Sequence, residues 1–155
     1  MRRTIRRIGF TTAVAAVLTW TPAGGARAAA ADPYPAATLC GPGFTAVDQD
    51  PIHDAATGRL LGTVHLLHNP FTGYGCAVTL KSAYAGVLTR TQVYLDPEAT
   101  TPVVDEGHRL WAAGPVRGYV RGGCAIWGGA MTDPAGVLHR HDRANPAIGG
   151  AVTCF

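Results

Sequence analysis

The chain has 155 residues, of which 47% are hydrophobic and 15% are charged, and this composition excludes a wholly disordered protein. Its formal net charge of +3 would suggest a polyanionic partner, but five of its arginines lie in the first 27 residues, where there is no acidic residue. The remaining eight basic groups stand against ten acidic groups, which gives a net charge of −2. We therefore predict no nucleic-acid binding.

A secretory signal peptide is predicted at residues 1–31. Four arginines precede an apolar run of thirteen residues from Ile8 to Trp20, and a stretch of small residues with several Ala-x-Ala matches follows. The apolar run is shorter than the roughly 20 residues that a spanning helix needs, so we predict no transmembrane anchor. Cleavage between residues 28 and 31 would leave an extended lead-in at 32–43 and a single β domain at 44–155.

Four cysteines, Cys40, Cys76, Cys124 and Cys154, all follow the predicted signal. An even number of cysteines in an exported domain indicates two disulfides. Economy of chain path favours Cys40 with Cys76 and Cys124 with Cys154, while Cys40 with Cys154 and Cys76 with Cys124 is the alternative. Zinc binding is disfavoured, because no two cysteines have the short spacing of thiolate ligands.

Short segments rich in β-branched and aromatic residues begin after Phe44. Residues 62–68 and 75–81 flank a turn with the sequence Asn-Pro-Phe-Thr-Gly-Tyr and are predicted to form a hairpin. In its second strand, the period-2 alternation of a half-buried strand places Cys76, Val78 and Leu80 on one face. A further strand is predicted at residues 87–95, with Thr89, Thr91, Val93 and Leu95 on one face.

A second hairpin is predicted around Gly122-Gly123, with strands at residues 116–121 and 124–131, because glycine tolerates positive φ at both turn positions. Residues 109–113 form another candidate strand, and a long loop at 132–146 leads to a last strand at 147–155. The total of six to seven strands predicts a small, disulfide-stabilised, all-β fold, either a β-sandwich or a partly closed antiparallel barrel. Four aromatic residues are assigned to core and strand-face packing rather than to a carbohydrate-stacking platform: Tyr94, Trp111, Tyr119 and Trp127.

Several short motifs occur together and in a characteristic order: Cys40-Gly-Pro-Gly-Phe44, Leu61-Gly-Thr-Val-His65, the Gly-Cys-Ala-Val-Thr79 strand, Ala113-Gly-Pro-Val116 and Gly123-Cys-Ala-Ile-Trp-Gly-Gly129. With them the chain resembles the spore-associated protein A family of small secreted actinobacterial proteins. The resemblance implies secretion, a disulfide-stabilised β domain and association with the spore or aerial-cell surface, and it carries no catalytic residues. The segment between Met131 and Cys154 departs from the family pattern and contains His139-Arg-His141.

The histidines are the main candidates for chemistry, because imidazole is a common metal ligand and acid–base group. His139 and His141 would share one face of an extended segment, where Asp133 or Asp142 could add an oxygen ligand, so this loop is a candidate metal site. His65 and His68 are three residues apart on a strand and point to opposite faces. Neither His53-Asp54 nor the segment from Asp105 to His108 has a nucleophile beside it, and no cofactor is predicted.

The leading hypothesis is a secreted, non-enzymatic protein that binds at the cell or spore surface or acts as a coat component. Its expected partner is a component of that surface. One alternative is a small secreted hydrolase or metal-binding protein that uses the histidine-rich loop. Another is a secreted protease inhibitor, suggested by the size, the predicted disulfides and the proline-containing loop from Asp96 to Pro102.

Overall fold

The computed structural model describes residues 34–155, so the predicted signal peptide at residues 1–31 lies outside the described residues. This part of the chain contains one short helix and nine strands. In chain order they are α1 (Ala36–Cys40), β1 (Thr45–His53), β2 (Leu60–Asn69), β3 (Tyr74–Lys81), β4 (Thr89–Pro97), β5 (Val103–Arg109), β6 (Ala112–Tyr119), β7 (Cys124–Thr132), β8 (Leu138–Arg140) and β9 (Ala151–Cys154).

The strands form two antiparallel sheets. The first sheet has the order β1-β2-β3-β6, and the second has the order β5-β4-β7-β8, with β9 also paired to β7. The predicted all-β fold is confirmed, with the sandwich as the architecture observed. There are more strands than the six to seven expected, because β1, β5 and β8 were not assigned as strands. In the other direction, the two strands expected at 109–113 and 116–121 are replaced by one, β6, while Arg109 ends β5.

The core lies between the inner faces of the two sheets. Trp127 of β7 is its largest fully buried side chain, and the indole N–H donates to Oγ1 of Thr153 at 2.9 Å. A charged group also lies among the buried residues, since the Lys81 ammonium donates to the carbonyls of Val87 and Arg109 and to the hydroxyl of Thr89. Burial lowers the pKa of Lys81.

A second, smaller apolar cluster covers part of the outer face of the first sheet. Here α1 lies over Leu67, Val78 and Leu80, and Arg117 of β6 donates to the carbonyls of Leu39 and Cys40 at the end of the helix. The lead-in, expected to be extended, therefore contains a short helix. No helix in the described part of the chain has the length and hydropathy needed to cross a membrane.

The β2–β3 hairpin is confirmed, with an unbroken antiparallel register from Gly62 opposite Lys81 to Asn69 opposite Tyr74. The Asn69 carboxamide oxygen accepts the main-chain N–H groups of Phe71 and Thr72 and so closes the turn. The expectation of a half-buried β3 is wrong, because the helix covers its outer face and both faces are buried. In β4 the predicted alternation is confirmed, with the odd-numbered positions from Thr89 to Leu95 buried.

The second predicted hairpin is wrong. A tight turn does form, with the N–H of Gly123 donating to the carbonyl of Val120, but β6 pairs with β3 in the first sheet and β7 pairs with β4, β8 and β9 in the second. Only Gly122 of the two glycines has a positive φ, +69°, whereas the hairpin turn expected needs it at both positions. The turn therefore carries the chain from one sheet to the other.

Two disulfides join distant parts of this fold. Cys40–Cys76 fastens the end of α1 to β3, and Cys124–Cys154 joins β7 to β9. This is the pairing that the chain path favours from the sequence. Each bond closes a loop of 36 or 30 residues, which is worth roughly 3 to 4 kcal/mol in the chain-entropy description.

Candidate functional site

His141 lies at a gap in one edge of the second sheet. The edge of β7 is paired with β8 at Ala130–Thr132 and with β9 at Cys124–Trp127, so Gly128 and Gly129 have no strand partner on this side. The main-chain N–H of His141 donates to the carbonyl of Gly129, and its ring stacks on Trp127 with 6.3 Å between ring centroids. His141 is only 2% exposed, so it fills the gap as a buried polar side chain.

The imidazole of His141 connects the second sheet to β1 at the edge of the first. Its Nδ1 lies 2.5 Å from Oδ2 of Asp50, whose residue is also 2% exposed. Arg143 donates to the same carboxylate from its main-chain N–H at 2.8 Å and from Nε at 3.1 Å. Its guanidinium then reaches Asp48 at 2.9 Å and lies 5.3 Å from the centre of the Trp127 ring. Each oxygen of the buried carboxylate therefore has a charged or polar partner, as buried acids require.

The ion pair between Asp48 and Arg143 favours the charged form of both partners. Burial would raise the pKa of Asp48, but hydrogen bonds from Arg143 and the N–H of Gln49, with the charge of Arg143, hold that pKa below its ordinary value. The hydrogen bonds to Asp48 in turn raise the pKa of Arg143. Together with the contacts to Asp50, this ion pair ties residues 141–143 to β1.

Tyr94 of β4 extends the network to the outer face of the second sheet. Its hydroxyl lies 3.1 Å from Nε2 of His141 and is hydrogen-bonded to the carbonyl of Gly149. Because that carbonyl can only accept, the hydroxyl donates to it, and the ring nitrogen meets the hydroxyl oxygen. Gly128 lies directly opposite Tyr94, and a Cβ at this position would collide with both Tyr94 and His141.

The arrangement is suited to positioning rather than to proton transfer. Both ring nitrogens of His141 face protein partners, and the Tyr94 hydroxyl is committed to Gly149. Burial raises the pKa of Tyr94, and the Asp50 carboxylate adds to the rise while Arg140 offsets part of it, so the phenol remains neutral near pH 7. The network holds the main chain at Gly149 against the outer face of the second sheet.

A groove runs across that outer face. It consists of three neighbouring cavities of about 460, 290 and 230 Å³, in which adjacent cavities share lining residues. Asp96 and Ile126 line both the first and the second cavity, and Gln92 and Arg140 line both the second and the third. Strand β5 supplies one wall through Val104, and the opposite wall includes Ile148, Gly149 and Val152.

The predicted metal-site residues are placed differently from one another. His141 is in the buried network, while Nε2 of His139 lies 3.7 Å from the carboxylate of Asp133 and makes no hydrogen bond. Asp142 instead contacts His53, with 2.6 Å between Oδ2 and Nδ1. In the described residues, no three side chains of the His, Cys, Asp and Glu types come together as a metal site.

The remaining sequence candidates do not converge. Trp127 is in the core as predicted, whereas Trp111 and Tyr119 are 42% and 36% exposed at different places in the fold. The segment from Asp96 to Pro102, expected as a loop, contains the last two residues of β4 and the turn to β5. It lines one end of the groove, where the N–H of Glu98 donates to the carbonyl of Cys124.

Sequence reasoning missed Asp50, Arg143 and Arg140 as site residues, and it named Asp96 only as the first residue of a candidate inhibitor loop. For Asp50 a signal was present, because its spacing of two from Ile52 puts a lone carboxylate on the inward face of a strand. No local signal connects Asp96 with Arg140, since their strands, β4 and β8, lie on either side of β7 only in the folded sheet.

Comparison with known proteins identifies a relative that shares most of the chain. Spore-associated protein A of Streptomyces coelicolor is 34% identical over 134 residues, which cover 82% of this chain and 81% of the relative. No protein-family model matches the chain, and no solved structure matches it. At this identity and coverage, the chain belongs to the spore-associated protein A family.

Proposed function

We propose that this protein is secreted and acts at the spore or cell surface, by binding a surface component or as part of the coat, without catalysing a reaction. The name of the relative supports association with spores. The two disulfides favour an oxidising, extracellular location. The groove across the outer face of the second sheet is the observation that carries the binding role, because concave surfaces with apolar walls and a few polar groups are typical of ligand sites.

The buried network supports a binding role over a catalytic one. Asp50, His141 and Tyr94 have the residue types of an acid–base relay, but each polar group in the relay is bonded to another part of the protein. The network also holds Gly149, which forms part of the groove wall. Its role in this proposal is to keep the groove in shape.

The proposal is tested by sedimentation with washed spores and vegetative cells of the producing organism. Purified protein should pellet with one or both of these surfaces, remain after a buffer wash and release no soluble sugar or peptide fragments. Recovery of all the protein in the supernatant would contradict surface association, and steady release of fragments would contradict a purely binding role.

Two matched valine variants test whether the groove is the binding face. Val104 and Val137 are both 54% exposed, but only Val104 lines the groove. Val104→Lys should reduce the pelleted fraction several-fold, because it places a charge on an apolar wall, while Val137→Lys should pellet like the wild type. Equal binding by both variants would exclude the groove as the surface that binds.

A further inference from the structure

Two charged side chains in the groove have no charged partner. Among the charged residues from 34 to 155, Asp96 and Arg140 are the two for which the structure contains no hydrogen bond, ion pair or ring contact of the charged group. The other arginines are engaged by Glu106 (Arg90), Asp105 (Arg109), Asp48 and Asp50 (Arg143), main-chain carbonyls (Arg117 and Arg121) and the Tyr84 ring (Arg59).

These two unpaired charges line the same cavity, the middle one, of about 290 Å³. Asp96 of β4 lies opposite Ile126 of β7, and Arg140 of β8 lies opposite Ala130, four residues further along β7. The two positions are thus about 13 Å apart along the strands and about 10 Å apart across them. Both side chains nevertheless line one cavity, so a single ligand in it can contact both charged groups.

The cavity also has apolar lining. Val104, Ile126 and Ile148 line it together with Asp96 and Arg140, and so do Tyr94 and Gln92. The wall that carries Ile148 is held in place, because the next residue, Gly149, accepts the hydrogen bond from Tyr94. The cavity therefore combines an anionic group, a cationic group and apolar side chains, with one wall held in place.

We propose that this cavity binds an amino-carboxylate: a ligand with a cationic amine at one end, a carboxylate at the other and an aliphatic stretch between them. The amine would pair with Asp96, the carboxylate with Arg140, and the aliphatic stretch would lie on Ile126. The inference deepens the proposed function, on which it rests, by naming the ligand class of the groove. Lysine has this chemistry, either as the free amino acid or at the carboxyl terminus of a peptide chain.

Other ligand chemistries fit the two charges less well. A polyanion would meet the carboxylate of Asp96, and a polycation would meet the guanidinium of Arg140. An uncharged sugar would leave both charges without an opposite charge, and a purely apolar ligand would also cover the half-buried Asp96 without neutralising it. Only a ligand with both charges at a matching separation satisfies both ends of the cavity.

The test uses purified protein and three small probes that differ only in their charged ends: 6-aminohexanoate, hexylamine and hexanoate. Binding is followed by two-dimensional NMR of the backbone amides, with shifts expected at Tyr94, Ile126 and Gly149. 6-Aminohexanoate should bind at least fivefold more tightly than either single-charge probe. Equal affinity for all three probes, or no binding of 6-aminohexanoate, would overturn the proposal.

Single variants assign the ends of the site. Asp96→Asn and Arg140→Gln should each weaken 6-aminohexanoate binding about fivefold or more, and each should abolish the preference over one of the single-charge probes. Arg59→Gln is the matched control, because Arg59 lines none of the three cavities of the groove and lies over the Tyr84 ring. Wild-type affinity in both site variants, or an equal loss in the Arg59 control, would contradict the assignment.

A peptide series distinguishes the two sources of the ligand. Free lysine is compared with a peptide that ends in a lysine carboxylate and with the same peptide as its amide. Tighter binding of the free acid peptide than of lysine assigns the site to chain termini, and the reverse order assigns it to the free amino acid. Equal binding of the acid and the amide would overturn the role given to Arg140. Because no spores are present, failure here leaves the sedimentation result of the proposed function intact.

Discussion

The contact between His141 and Tyr94 requires that residue 128 have no side chain, and Gly128→Ala is the sharpest test of this. A Cβ built at Gly128 would lie closer than 3.0 Å to Nε2 of His141 and to the hydroxyl of Tyr94. Neither neighbour is free to move away, because His141 lies 2.5 Å from Asp50 and Tyr94 is bonded to the carbonyl of Gly149. The substitution should therefore break the contact between the imidazole and the phenol.

The expected cost follows from three contributions. Forcing a methyl group into a filled site costs about 1 to 3 kcal/mol, and losing one buried hydrogen bond costs about 1 kcal/mol more. The reduced freedom of the unfolded chain returns about 0.4 to 1 kcal/mol. We therefore expect Gly128→Ala to lower the free energy of unfolding by roughly 1 to 4 kcal/mol.

Gly123→Ala is the matched control for this measurement. A Cβ at Gly123 would come no closer than 3.4 Å to its nearest neighbour, an oxygen of Glu98, and Gly123 does not have a positive φ. Both variants and the wild type are unfolded in urea at pH 7 with the disulfides intact, using tryptophan fluorescence, which reports the buried Trp127 among others. If the free energy of unfolding of Gly128→Ala is within about 0.5 kcal/mol of that of Gly123→Ala, the close packing inferred around Gly128 is wrong.

Three further substitutions have defined outcomes. Tyr94→Phe should lower the free energy of unfolding by about 1 to 2 kcal/mol and speed amide hydrogen exchange around Gly149. Unchanged exchange there would contradict the role of the hydrogen bond from Tyr94 to the Gly149 carbonyl. The pKa of Asp48 is lowered in the folded protein, so the contribution of its carboxylate to stability is present above pH 4 and is lost as the pH falls further. In urea unfolding, Asp48→Asn should therefore lower the free energy of unfolding by up to about 1 kcal/mol at pH 7 and by less at pH 3. A loss of stability that does not depend on pH would refute the pairing with Arg143. Lys81→Met should lower the free energy of unfolding by about 2 to 4 kcal/mol, because three oxygen acceptors lose a buried charged donor. A variant as stable as the wild type would show that water solvates those oxygens.

Features set by neighbouring residues could be predicted from the sequence. The alternation in β4 follows from the two-residue period of a strand, and the turn at Asn69 follows from a side chain that accepts main-chain N–H groups. The β2–β3 hairpin then forms because its two strands are joined by that turn. Local chemistry and local geometry agree in each of these cases.

Features set by long-range competition could not be predicted. The turn at Gly122-Gly123 formed, but its two flanking strands found better partners in different sheets: Tyr119 pairs with Tyr74, and Cys124 pairs with Cys154. The tight turn fixes a change of direction and not a pairing, because strands from elsewhere can occupy the same edges. The same reasoning explains β8, which is only three residues long and is a strand because β7 offers it an edge.

The candidate site is the extreme case of this dependence on tertiary structure. Asp50 and His141 are 91 residues apart in sequence, and Tyr94 and Gly149 are 55 apart, so no spacing rule could have joined them. The histidine-rich loop is a candidate metal site in the sequence because His139 and His141 are close together there. In the structure His139 faces Asp133 and His141 faces Asp50. Residue type indicated that the loop was unusual, while its neighbours across the fold decided what each histidine does.

Tyr94 links the stability of the core to the shape of the groove. One side of its hydroxyl meets the buried His141, and the other donates to Gly149 in the groove wall. A change that displaces the imidazole, at Asp50 or Gly128, should therefore also loosen the wall that carries Ile148, although neither residue lines the middle cavity. This connection gives a reason for a fully hydrogen-bonded polar network beside the core. Apolar side chains could fill the gap at the edge of β7, but they could not hydrogen-bond to the groove wall and hold it in place.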